Sequence, residues 1–116
     1  MKENVIQKKS YAYALRIVDL YKVLINKKSE YVLSKQILRS GTSIGANIEE
    51  AIGGQSRKDF SSKLSVAYKE ARETHYWLRI LFDSGYIEKN LADSLLSDCE
   101  EILRIIGSIQ KTVNNS

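Results

Sequence analysis

Apolar residues recur along nearly the whole chain at spacings of three and four, the period of a helix surface and not of a strand. Four such stretches follow one another, separated by short polar or glycine-bearing breaks. The first runs from about Glu3 to Asn26, with Tyr11, Ala14, Ile17, Val18, Tyr21, Leu24 and Ile25 in its apolar sector. Lys27-Lys28-Ser29 interrupts the pattern, and Ser29 followed by Glu30 reads as a helix cap with a first-turn acid. The second stretch runs from about Glu30 to Ile52 around Leu33, Ile37, Ile44, Ile48 and Ala51, with Ser40 among them, and Gly53-Gly54 offers the left-handed residue that ends many helices. Ser56, with Asp59 three residues on, predicts the cap of a third helix that reaches about Ser84 and stops at Gly85. Its core stripe is Phe60, Leu64, Ala67, Ala71, Leu78 and Phe82. A fourth helix, from Glu88 or Asn90 to about Val113, carries Leu91, Leu95, Ile102, Ile106, Ile109 and Val113 on one face. Short links between long helices force antiparallel neighbours, so residues 1–116 are expected to form one all-α domain, an up-down-up-down four-helix bundle.

Two helices depart from a plain amphipathic pattern. Beside its core sector the second helix carries a polar stripe, Gln36, Arg39, Ser43, Asn47 and Glu50, with Gly41 and Gly45 nearby. Polar groups next to a core need partners, because each one buried and unsatisfied costs about 1–3 kcal/mol. Glu50 and Glu73 are candidate acceptors for the Arg39 fork. The stripe and its glycines read either as a nucleic-acid or ligand pocket or as a polar contact between helices or subunits. The third helix has a second apolar sector, Val66, Trp77 and Ile80, in line with Glu73; it is a candidate subunit interface or the edge of a wide core. Its third sector, Tyr68, Lys69, Arg72, Tyr76 and Arg79, interleaves rings and cations. That arrangement suits stacked bases and phosphates, or else a solvated face on which rings lie beside arginine stems.

Composition narrows the chemistry. The chain has 116 residues, no proline, one cysteine (Cys99) and one histidine (His75). That excludes an internal disulfide framework and the common zinc-ligand sets, and no cofactor or metal is expected. No apolar run reaches membrane-spanning length and the N-terminal segment lacks a signal-peptide core, so a cytoplasmic location without membrane contact is expected. The net charge of +4 is uneven: +5 over residues 1–28, −1 over 29–55, +2 over 56–85 and −2 over 86–116. Lys9 and Arg16 of the first helix therefore join the cations of the third as candidates for an anionic partner, unless helices one and four pair their opposite charges. Catalysis finds no support: there is no phosphate loop, and His75 reads as a hydrogen-bonded structural residue.

The segment from Gln36 to Ala51, QILRSGTSIGANIEEA, followed by SRKDF at 56–60, resembles the signature of the bacterial four-helix bundle proteins encoded in 23S rRNA intervening sequences. Matching positions are Gln36, Arg39, Ser43, Ile44, Asn47, Ile48, Glu50, Phe60, Ala67 and Glu73. Lys69-Glu70 stands where the family has a small pair, Ala51 where it has glycine, and Gly54 where it has a basic residue. The resemblance implies a four-helix bundle that assembles into a ring, typically a homopentamer, with no catalytic activity. It also implies similarity to the accessory protein of diversity-generating retroelements, which works with a reverse transcriptase and its RNA. The expected function is thus that of a non-enzymatic oligomeric protein binding RNA or DNA. The alternative is a scaffold for a protein partner, such as a polymerase, with no nucleic-acid contact.

Overall fold

In the computed structural model, which describes residues 2–115 and side chains from residue 5 to 115, four α-helices account for nearly all of the chain. They are α1 (Lys2–Lys27), α2 (Leu33–Ile52), α3 (Arg57–Asp83) and α4 (Lys89–Asn114). Consecutive helices pack antiparallel, α1 on α2, α2 on α3 and α3 on α4, and α4 closes the square against α1 through the lightest of the four seams. The bundle measures 47 × 21 × 19 Å, somewhat longer than any one of its helices at about 1.5 Å per residue.

The core follows the expected period. Ile37, Ile44, Ile48 and Ala51 of α2 meet Leu64, Ala67, Ala71 and Leu78 of α3, with Leu95, Ile102, Ile106 and Ile109 of α4. On α1 the buried meridian is Ile6, Tyr13, Ile17, Leu20 and Leu24. That corrects the expected sector: Ile17 and Leu24 are shared, but Tyr11 is 66% exposed. Apolar residues surround much of α1, so its sequence permits two meridians, and contact with α2 and α4 selects one. On α3, Phe82 lies outside the core and Leu81 inside it; on α4, Leu91 is exposed and Ala92 buried.

The caps explain the boundaries. Ser56 accepts from the Asp59 N–H at 3.1 Å, as expected, and Gly85 (φ +87°) takes the chain out of α3. Two expectations fail. Gly53 ends α2 at φ −82°, without a left-handed turn, its N–H donating to the Glu49 carbonyl. At the start of α2, Ser29 is not the cap; it turns the chain at φ +51°. Glu30 caps instead. Its carboxylate accepts the N–H groups of Val32, Leu33 and Ser34 at 3.3, 3.1 and 2.7 Å, and the helix begins at Leu33.

Gly41 and Gly45 mark the closest approach of α1 and α2. A Cβ on Gly41 would sit 2.8 Å from both γ-carbons of Ile17, and one on Gly45 would sit 3.4 Å from the Ser10 carbonyl oxygen. The space these glycines leave is filled by α1, so they serve helix packing and open no pocket.

Candidate nucleic-acid interface

Helix α3 presents three meridians, one to the core, one to α2 and one to solvent. Toward the core lie Leu64, Ala67, Ala71, Thr74, Leu78 and Leu81. Toward α2 lie Glu70, Glu73 and Trp77, facing the polar stripe of that helix. Arg39 forks between the two acids: one guanidinium nitrogen pairs with Glu73, and Nη1 lies 3.4 Å from Glu70 Oε1. Glu73 Oε2 also accepts the Trp77 indole N–H at 3.0 Å. Glu50, the other expected acceptor, pairs instead with Lys63 of α3 at 2.7 Å. Sequence reasoning missed Glu70, whose position one turn before Glu73 was the available signal.

The rest of the stripe is satisfied locally. Ser43 donates to the Arg39 carbonyl at 2.6 Å and Asn47 to the Ser43 carbonyl at 2.8 Å. Gln36 is exposed. Beneath the stripe the buried hydroxyls of Ser40 and Thr74 lie 2.9 Å apart, tying α2 to α3. Trp77 packs against the core of the bundle, Ile80 is half-buried, and Val66 is 36% exposed.

The outward meridian carries Lys69, Arg72, Tyr76 and Arg79, all exposed, whereas Tyr68 is half-buried against the core near α4. The Arg79 guanidinium carbon stands 5.7 Å from the Tyr76 ring centroid, a cation–π distance. The Tyr76 and Trp77 centroids are 5.1 Å apart at 69°, edge to face. Among the described residues, Lys69, Arg72 and Arg79 make no ion pair.

Lys9 and Arg16 stand elsewhere. They cross the α1–α4 seam, Lys9 to Glu101 at 3.1 Å and Arg16 to Asp98 at 2.7 Å. Between these pairs the Tyr13 hydroxyl donates to the Leu95 carbonyl at 2.9 Å, beside a cleft of about 140 Å³. The opposite charges of helices one and four thus meet, and these two cations are not brought together with those of α3.

The buried titratable groups are structural. Burial pushes the Tyr13 hydroxyl up, with Cys99 adding to it. Burial also pushes the Cys99 thiol up to about 12, and the thiol donates to the Ala71 carbonyl at 3.2 Å; an un-ionised buried thiol is inert. His75 hydrogen-bonds Glu100 at 2.9 Å across the α3–α4 seam. Among the described residues no cluster of His, Cys, Asp or Glu is placed to hold a metal ion. Among the described residues no helix is long and apolar enough to cross a membrane.

The geometry defines a small antiparallel helical bundle with one core and a basic, aromatic outer face on its third helix. The family model described as 23S rRNA-intervening sequence protein matches residues 2–108, and the chain belongs to that family. It is similar to a crystal structure from Bacteroides thetaiotaomicron VPI-5482, described as a protein with unknown function from the S23 ribosomal protein family. The two share 54% identity with a TM-score of 0.95, over 96% of this chain and 99% of that one. No curated protein matches the chain.

Proposed function

We propose that this protein is a non-enzymatic, homo-oligomeric accessory protein that binds nucleic acid, RNA in the first place, through the outer face of α3. The observation that carries this reading is the division of its cations. Lys9 and Arg16 are used up in holding α4 to α1, whereas Lys69, Arg72 and Arg79 surround an exposed tyrosine with no acidic partner among the described residues. Folding has no use for them there, and phosphates are their natural counter-charge. The description of the similar Bacteroides protein as a member of an S23 ribosomal protein family points the same way. Assembly is supported by apolar groups left in water, Val66 on α3 and Tyr11 and Leu15 on α1, and the family resemblance supplies the number five.

Affinity purification of the tagged protein from its own lysate at low salt, with and without nuclease, tests this reading. Co-purifying nucleic acid, together with loss of every other partner after nuclease, is the expected result. A protein partner that survives nuclease, with no nucleic acid recovered, would establish the scaffold alternative instead.

A further inference from the structure

Tyr76 is a large ring in a position where the bundle does not need one. It is 48% exposed, yet it is braced. Arg39 of α2 pairs with Glu73, Glu73 accepts the Trp77 indole N–H, the Trp77 ring abuts Tyr76, and Arg79 stands over Tyr76 from the next turn. The chain of contacts runs from the motif stripe of α2 to the solvent face of α3 and ends on a ring and a guanidinium, both planar.

The cations are spaced around that pair. Lys69, Arg72 and Arg79 lie seven and four residues before Tyr76 and three after it, so they span about 15 Å along the helix axis. An acidic protein surface would answer the charges with carboxylates, which offer no aromatic face to lay on the ring and guanidinium. A nucleic-acid duplex would use the charges as well, but it keeps the faces of its bases stacked inside. An unpaired strand offers both phosphates and open base faces.

We propose that the Tyr76–Arg79 pair is a stacking platform for an unpaired base of single-stranded nucleic acid, with Lys69 and Arg72 taking flanking phosphates. Arg39 and Glu73 are positioning residues, acting on the platform through Trp77. This inference rests on the nucleic-acid reading above and narrows it to single strands.

Anisotropy titrations at low salt test it, using labelled uridine and thymidine oligomers of about 16 nucleotides and a duplex of the same length. Trp77 is the only tryptophan, so its emission reports on the same site. Tyr76→Leu is expected to weaken single-strand binding about tenfold or more, to abolish quenching of Trp77 on binding, and to leave duplex affinity within about twofold. Tyr76→Phe keeps the ring and restores single-strand affinity. Arg39→Gln loses the preference for single strands without weakening duplex binding, which general loss of structure would not do. Arg72→Gln weakens both ligands, as loss of a phosphate contact must. The uridine and thymidine arms show whether the strand is RNA or DNA. Tyr76→Leu acting equally on strand and duplex, or on neither, while Arg72→Gln still weakens both, would overturn the platform and leave the nucleic-acid reading standing. Wild-type protein that binds neither ligand would overturn both.

Discussion

Glu30 shows how a single side chain can set a helix boundary. It is only 8% exposed, and burial by itself would raise its pKa. The N–H groups of Ser34, Leu33 and Val32 outweigh that and hold the carboxyl below its ordinary 4.5. A depressed folded pKa means that the cap's stability is present in full above about pH 4.5 and is lost as the pH falls through the folded value. Glu30→Gln is therefore expected to cost about 0.5–2 kcal/mol at pH 7 in urea denaturation, and the gap from wild type should close progressively below pH 4.5. A constant gap down to pH 3 would show that the charge is not the source. The sequence pointed to Ser29, the commoner capping type; in the structure Ser29 turns the chain at a positive φ and the longer acid after it accepts from three amides. The same limit applies to Arg39. Its need for acidic partners was legible, but the choice of Glu70 over Glu50 is a matter of helix register.

At the level of helices, the α1–α2 contact is the tightest test of packing. Gly41→Ala would gain about 1 kcal/mol of helix propensity, but its Cβ meets a fully buried, β-branched Ile17 that has nowhere to move. Overpacking costs about 1–3 kcal/mol, so Gly41→Ala is expected to destabilise the wild type. In an Ile17→Ala background, which removes both γ-carbons and leaves only the Cβ at 3.1 Å, the same change should cost clearly less. A double-mutant cycle read by thermal melts decides this, and equal effects in both backgrounds would refute the clash. Leu95→Ala, in the core of α4, should cost about 2–5 kcal/mol through a cavity. Most of the buried faces of α2, α3 and α4 were readable from periodicity; the misassigned positions are Phe82, where Leu81 is buried instead, and Leu91, where Ala92 is. Apolar residues surround much of α1, so its buried meridian is chosen by its neighbours. The two glycines of α2 signalled a close approach, and the structure supplies Ile17 and Ser10 as what approaches.

For the whole molecule, the uneven charge resolves into two uses. Part of the basic first segment is answered across the α1–α4 seam, and the excess on α3 stays on the outside. The all-α bundle was legible in full, whereas the site was legible only as a set of residue types. Which cations are paired follows from register between helices distant in sequence, as in Lys9 with Glu101. The proposed ring predicts a light-scattering mass well above the 13.2 kDa of one chain. Val66→Asp, at a site half in solvent, is expected to lower that mass without lowering the helix content; a wild type that stays at 13.2 kDa across micromolar concentrations would remove the ring. The binding claim is tested most directly by the salt dependence of affinity for a single-stranded RNA, in the wild type and in a Lys69→Gln, Arg72→Gln, Arg79→Gln triple variant. Each lost phosphate contact removes about 0.7 from the slope of log affinity against log salt. The triple variant should bind more weakly, with a slope shallower by about 1.4 for the phosphate contacts of Lys69 and Arg72, at an unchanged melting temperature. An unchanged slope and affinity in that variant would contradict binding through the outer face of α3.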